Sequence, residues 1–205
     1  MPERACGAAV ASKYPAVGKF VPYVRANVGA FCTQHGHNPE WGEAALDMLE
    51  AGVLPEEVLG RLLRDDPMHG KRQLAIIDMA GRAANRNPSD ADPGGRWWGA
   101  MSGRFYACQG NTLAGLDVLV SMARAYEETA GSLADRLMAA LLAGDCAGGD
   151  HRGRLAAGLR LARPGAERRP FALDVDESAD AVRELHAKLV DLEMKPGQPG
   201  IPGDA

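Results

Sequence analysis

The sequence predicts an α+β fold in which two sheets are covered by two layers of helix. Three observations carry that prediction. Strand-like runs come in groups, amphipathic helical runs arrive in pairs between the groups, and the 205 residues favour small side chains, with 25 Gly, 46% hydrophobic residues and only 5% aromatic ones. Grouped strands and paired helices do not suit a βαβ alternation, and a core of Ala, Val and Leu suits closely packed layers.

In chain order, Ala5 to Ser12 is a run of small apolar residues that reads as a buried strand. Val17 to Thr33 reads as one or two strands with a turn around Ala26-Asn27, and Thr33 to Pro39 as a loop. From Gly42 the apolar spacing turns helical through Ala45, Leu46, Leu49 and Val53. Pro55, with Glu56 and Glu57 behind it, opens a second helix running to Asp65. Gln73 to Asp78 and Arg82 to Asn85 are strand-like around a turn at Ala80-Gly81, and Arg86 to Gly103, with Trp97-Trp98 inside it, reads as a long loop. A short strand at Arg104 to Cys108 leads to Gln109-Gly110-Asn111, read as a polar turn. A helix pair follows, Leu116 to Thr129 and Leu133 to Ala143, with Ser132 as N-cap of the second. After the Gly148 to Gly153 turn come strands at Arg154 to Ala162 and Phe171 to Val175, a basic turn at Arg163 to Arg169 between them, and a helix at Ala179 to Leu192. Residues 1–194 are expected to form a single domain, with 195–205 a disordered tail rich in Pro and Gly.

Composition narrows the function classes. A formal charge of −4 and a pI near 5.7 argue against nucleic-acid binding, which needs a basic face. No apolar run reaches the ~18 residues of a membrane span and no charged-then-apolar leader opens the chain, so a cytoplasmic protein is expected. Cys6, Cys32, Cys108 and Cys146 lie far apart, without a CxxC pair, and read as free thiols. Neither a metal nor a cofactor is expected; the expected partners are a small-molecule ligand and further copies of the same chain.

Several stretches admit a chemical reading beside a plain structural one. The turns flanking the helix pair either present backbone N–H groups to a ligand or simply reverse the chain. Asp150, His151 and Arg152 among glycines are either convergent site groups or a turn stabilised by its own charges. Ser12-Lys13 is a nucleophile beside an amine, or an ordinary strand end. Trp97-Trp98 is a ligand platform or packing, and His35-Gly36-His37 needs a third ligand before it can hold metal. The arginines of the last third, among them Arg152, Arg154 and Arg160, suit either an anionic small ligand or a solvated surface.

Five stretches in order, Ala8 to Gly18, Ala30 to Gln34, Gln73 to Asp78, Cys108-Gln109-Gly110-Asn111 and Gly148 to Gly153, resemble the successive motifs of the family called domain of unknown function 1028. The resemblance runs from about Ala5 to Leu192. It implies a four-layer αββα sandwich of the N-terminal nucleophile (Ntn) hydrolase type and hydrolysis of a small amide or acyl-amino-acid by a Thr, Ser or Cys at the mature N-terminus. On that basis Ser12, Lys13, Thr33 and Asn111 are the expected catalytic positions. Gln34, Gln109, Gly110, Asp150 and Arg152 are the expected substrate-binding ones. Two departures stand out. Met1-Pro2-Glu3-Arg4 occupies the place of the family's Thr-containing first strand, and Leu155-Ala156 replaces a Gln and Ser pair. The sandwich is therefore expected to lack its first strand. The alternative to an amidohydrolase is a non-catalytic ligand-binding or scaffold member of the same fold.

A secondary amine at Pro2 has no hydroxyl or thiol beside it to form an acyl or ester intermediate. The 205-residue chain is accordingly expected to hydrolyse no amide above background when assayed against acyl-amino acids, dipeptides and ureides.

Overall fold

The computed structural model describes residues 4–89, 97–165 and 170–194. They build an α+β structure with antiparallel sheets and five helices. The first sheet has the order β1-β8-β9, from Cys6–Ser12, Ala156–Ala162 and Phe171–Val175. The second has the order β2-β3-β4-β5, from Pro22–Arg25, Gly29–His35, Arg72–Asp78 and Ala83–Arg86. A hairpin of β6, Trp97–Gly103, and β7, Tyr106–Leu113, forms the third. The helices are α1 Trp41–Glu50, α2 Pro55–Leu63, α3 Leu116–Glu128, α4 Leu133–Cys146 and α5 Ala181–Glu193.

Alternation along the strands decides which face meets which helix. In β3, Phe31 is fully buried against Leu46, Leu49, Val58 and Leu59 of α1 and α2, with Leu74 and Ile76 of β4 completing that cluster. Cys32, one residue on, faces the other way and packs with Val10, Val21 and Ala156. Ala157, Leu159 and Leu161 of β8 form an inward row and meet Met138 and Leu141 of α4 and Val182, Leu185 and Leu189 of α5, while Leu155, one residue before the strand, is exposed. Between the sheets the side chains are small, and the approach is closest where the 3-10 turn Val17–Lys19 rests on β8. A Cβ on Gly158 would stand 2.4 Å from the Gly18 Cα, so only glycine fits there.

Ser132 caps α4 as its spacing predicts, and the cap is reciprocal. Its hydroxyl accepts from Asp135 N at 3.2 Å while Asp135 Oδ2 accepts from Ser132 N at 2.8 Å.

Four expectations about local structure are corrected. Thr33, Gln34 and His35 belong to β3, paired with Leu74, Gln73 and Arg72, and the loop begins only at Gly36. Trp97 and Trp98 open a strand rather than sitting in a loop. Gln109-Gly110-Asn111 lies inside β7 opposite Gly99 and Ala100, so it is no turn. Helix α4 continues to Cys146, with Met138 and Leu141 packed on the core. In the three strand cases backbone pairing decided the outcome, and polar side chains conceal pairing in a single sequence. Residues 166–169 of the basic turn, 90–96 of the expected loop and the tail 195–205 lie outside the described residues. Among the described residues no helix is long and apolar enough to cross a membrane.

A buried ion pair fixes the start of β4. Arg72 donates from Nε to Asp66 Oδ2 at 2.7 Å and from Nη2 to Asp66 Oδ1 at 2.9 Å, donates also to Gly36 O, and stacks 4.7 Å over the Trp41 ring. The two side chains are 6% and 9% exposed. The hydrogen bonds from Arg72 hold the Asp66 carboxyl below its usual range. A carboxyl lowered by folding contributes stability above its unfolded pKa of about 3.9, and that stability fades as pH falls through the lower folded value. Asp66→Asn is therefore expected to lower Tm by about 5 °C near neutral pH, a deficit that begins to narrow below about pH 4 and closes only when the native carboxyl is itself protonated, as thermal melts compared across pH would show.

Candidate functional site

A small pocket of about 110 Å³, with polar and apolar walls, opens where β1, β3 and β7 end near one another. Ser12 of β1, Gln34 of β3, and Gln109, Gly110 and Asn111 of β7 line it. Asp145 of α4, with Asp150 and Arg154 of the loop before β8, closes it. Beside it lies a larger, mostly apolar cavity of about 820 Å³ between β1, β7 and the α3–α4 pair. Gln34 and Gln109 line both, so they stand at the junction.

Gln73 at the head of β4 positions the β7 segment. It is fully buried and its carboxamide crosses from one sheet to another: Nε2 donates to Gly110 O at 2.8 Å and to Asn87 Oδ1 at 3.1 Å, while Oε1 accepts from Asn111 Nδ2 at 2.9 Å. Asn111 is thereby fixed. Thr112 follows with φ 53, a left-handed backbone that a β-branched residue rarely adopts, and its hydroxyl donates to Asn111 O at 2.6 Å. The Gly148 to Gly153 loop then pairs with the end of β7. Asp150 bridges to Leu113, Ala114 N donates to Gly149 O at 2.9 Å, and His151 N donates to Thr112 O at 3.0 Å. Both ends of the helix pair thus reach one site, although one of them is a strand.

Of the expected site residues, the structure brings Ser12, Gln34, Gln109, Gly110, Asn111 and Asp150 to one pocket. Three lie elsewhere. Thr33 sits on the face of β3 opposite Gln34, fully buried, its hydroxyl unpartnered among the described residues. Lys13 lines neither cavity, and its Nζ lies 5.9 Å over the Tyr14 ring. Arg152 is spent on Asp150 through Nε at 2.9 Å and Nη2 at 2.6 Å, and it too lines neither cavity. The self-stabilised turn is therefore the reading the geometry supports for that pair.

Gln73 and Asp145 were not foreseen as site residues, and Arg154 was raised only as one of several arginines suited to an anionic ligand or a solvated surface. A glutamine heading an apolar strand is a detectable signal, because a buried amide needs partners. Asp145 and Arg154 give no such signal: they pair at 2.7 Å only because the end of α4 meets the loop before β8.

The electrostatics of the pocket are divided. Burial raises the Asp145 carboxyl's affinity for its proton despite Arg154. Burial also pushes Asp150 upward, but the hydrogen bonds from Arg152 outweigh it and hold that carboxyl below its usual range. Two carboxyl groups of opposite tendency share one small space. The hydroxyl of Ser12 accepts from Tyr14 N at 3.2 Å, with no imidazole lining the pocket beside it. Cys6, Cys32 and Cys108 line the larger cavity, and burial pushes their thiols up to about 11, about 12 and about 11, so they stay protonated at neutral pH. His35 meets Trp98 edge-on at 4.6 Å and His37 Nε2 lies 2.7 Å from Phe20 O. The described residues contain no group of three or more His, Cys, Asp or Glu that holds metal geometry. The most telling atoms are those of Gln109. Its Nε2 and Oε1 are both buried and without a partner among the described residues.

The model of the family of unknown function DUF1028 matches residues 2–185 of the chain. The crystal structure of a protein from Silicibacter pomeroyi, of the same family, is similar with a TM-score of 0.85 and 27% sequence identity, covering 96% of this chain and 87% of that one. No curated protein matches.

Replacing Gln73 by Leu keeps its bulk and strands Gly110 O and the Asn111 amide at the buried seam. With about 1–2 kcal/mol for each lost partner, Gln73→Leu is expected to destabilise by about 2–4 kcal/mol in urea unfolding.

Proposed function

Because the chain belongs to the family of unknown function DUF1028, we propose that it is an amide-binding protein built on an Ntn-hydrolase-type four-layer αββα sandwich. The layers support that reading. Helices α1 and α2 lie on the outer face of the β2-β5 sheet, α4 and α5 lie on β1-β8-β9, and β1 packs face to face with β2 and β3. The open side of β1, beside the large cavity, is where one more strand of such a sheet would run.

One observation carries the ligand class: the unpartnered carboxamide of Gln109. A buried donor and acceptor held a fixed distance apart are matched by another amide, which returns an N–H and a C=O in the same geometry. Leaving such groups unmatched costs about 1–3 kcal/mol apiece, so a ligand that pairs both gains directly. Ser12, Asn111 and Asp150 stand around the same space and orient the rest of a small acyl-amide or acyl-amino-acid. The described residues supply recognition rather than attack, since the lining thiols stay protonated and Ser12 lacks a base. Hydrolysis by this scaffold needs a nucleophile at an N-terminal residue placed in the pocket.

Calorimetric titration with N-acyl amino acids, dipeptides and ureides is expected to find a ligand, and Gln109→Leu to weaken it about tenfold or more. The ester analogue of that ligand lacks the N–H donor and should lose a similar factor. Equal affinity for ester and amide would overturn the reading.

A further inference from the structure

Among the described residues one strained position is both β-branched and buried. Five non-glycine backbones are left-handed there: Ala16, Asn27, His35, Phe105 and Thr112. The first four are half-buried or exposed, whereas Thr112 is 7% exposed and branched at Cβ, where a left-handed backbone is least tolerated. Its place in β7 accounts for the conformation. Trp97 pairs with Leu113 and Gly99 with Gly110, so Asn111 and Thr112 together stand opposite the single residue Trp98. That is a bulge, and a bulge re-aims the chain that carries it. Here it turns the end of β7 to a new partner: Thr112 O accepts from His151 N at 3.0 Å, and Leu113 bridges to Asp150. Glycine is the default residue for such a backbone, so a threonine there needs a reason.

The hydroxyl supplies one. Thr112 lines neither cavity, but the two polar residues it serves, Asn111 and Asp150, both line the small pocket and come from different segments. On one side its Oγ1 donates to Asn111 O at 2.6 Å and lies 3.3 Å from Asn111 Oδ1, while the other end of that carboxamide, Nδ2, is held by Gln73. On the other side burial pushes the Asp150 carboxyl up, and Arg152, followed by the Thr112 hydroxyl, holds it below its usual range. We propose that Thr112 is a positioning residue of the pocket: its hydroxyl fixes Asn111 at the end of β7 relative to Asp150 on the Gly148 to Gly153 loop, and the left-handed strain is retained for the sake of that hydroxyl. Glycine would relax the backbone and lose the tie. The assignment rests on the amide-binding reading for what the pocket holds, and on the contacts alone for what Thr112 does.

Two substitutions in the full chain separate the backbone from the hydroxyl. Thr112→Gly suits the left-handed φ of 53 and removes the hydroxyl, whereas Thr112→Ser keeps it. The Asp150 carboxyl is titrated by carboxyl-carbon NMR, with its signal assigned through Asp150→Asn. Arg152 is present in both variants, so the midpoint reports the hydroxyl. That midpoint is expected to move up in Thr112→Gly, because a donor to the charged form is gone, and to stay in place in Thr112→Ser. Affinity for an N-acyl amino acid should fall about fivefold or more in Thr112→Gly and return in Thr112→Ser. An unchanged midpoint or an unchanged affinity in Thr112→Gly would show that only the backbone conformation matters at this position and overturn the assignment. So would a serine variant that behaves like the glycine one. If no amide binds the unaltered chain, the reading of Gln109 falls, while the two midpoints still decide the role of Thr112.

Discussion

The Gln73 carboxamide is the constraint on which the site depends. Among the described residues no backbone ladder joins the β6-β7 hairpin to the sheet beneath it, and Gln73 spans the two by bonding Gly110 O and the Asn111 side chain. A neutral amide is well suited to this seam. It carries both a donor and an acceptor, so it satisfies groups on another strand without burying a charge. The place of Gln109, one residue before Gly110, follows from that bond. So does the position of Thr112, whose carbonyl holds the His151 amide and with it the loop that carries Asp150.

The second constraint is side-chain size between the sheets. Ala8, Ala30 and Ala75 line the large cavity between the sheets, Ala156 packs with Val10 and Val21, and Gly18 against Gly158 brings chain onto chain. Large apolar residues are kept for the outer interfaces, where Phe31, Leu46, Leu159 and Leu185 are fully buried against helices. This division leaves little apolar area to hold the two sheets together. Directional contacts add to it elsewhere: the Gln73 bonds tie the β6-β7 hairpin to β4, and within the first sheet Arg160 of β8 pairs with Asp174 of β9 at 2.9 Å.

Much of this was legible in the sequence. Periods of three and four located the helices, grouped apolar runs located most strands, and the Ser12, Gln34, Gln109-Gly110-Asn111 and Asp150 stretches do meet at one pocket. What failed was the state of polar segments. A strand whose side chains are Gln, Gly and Asn looks like a turn, because its reason for being extended lies in partners such as Gly99 and Ala100. Facing was also hidden: Thr33 and Gln34 are neighbours in sequence, but alternation sends one to the helical core and the other to the cavity. Arg152 looked free to hold a ligand, and a local bidentate bond to Asp150 consumes it. Nothing in one sequence predicts that α4 and the loop before β8 bring Asp145 and Arg154 together.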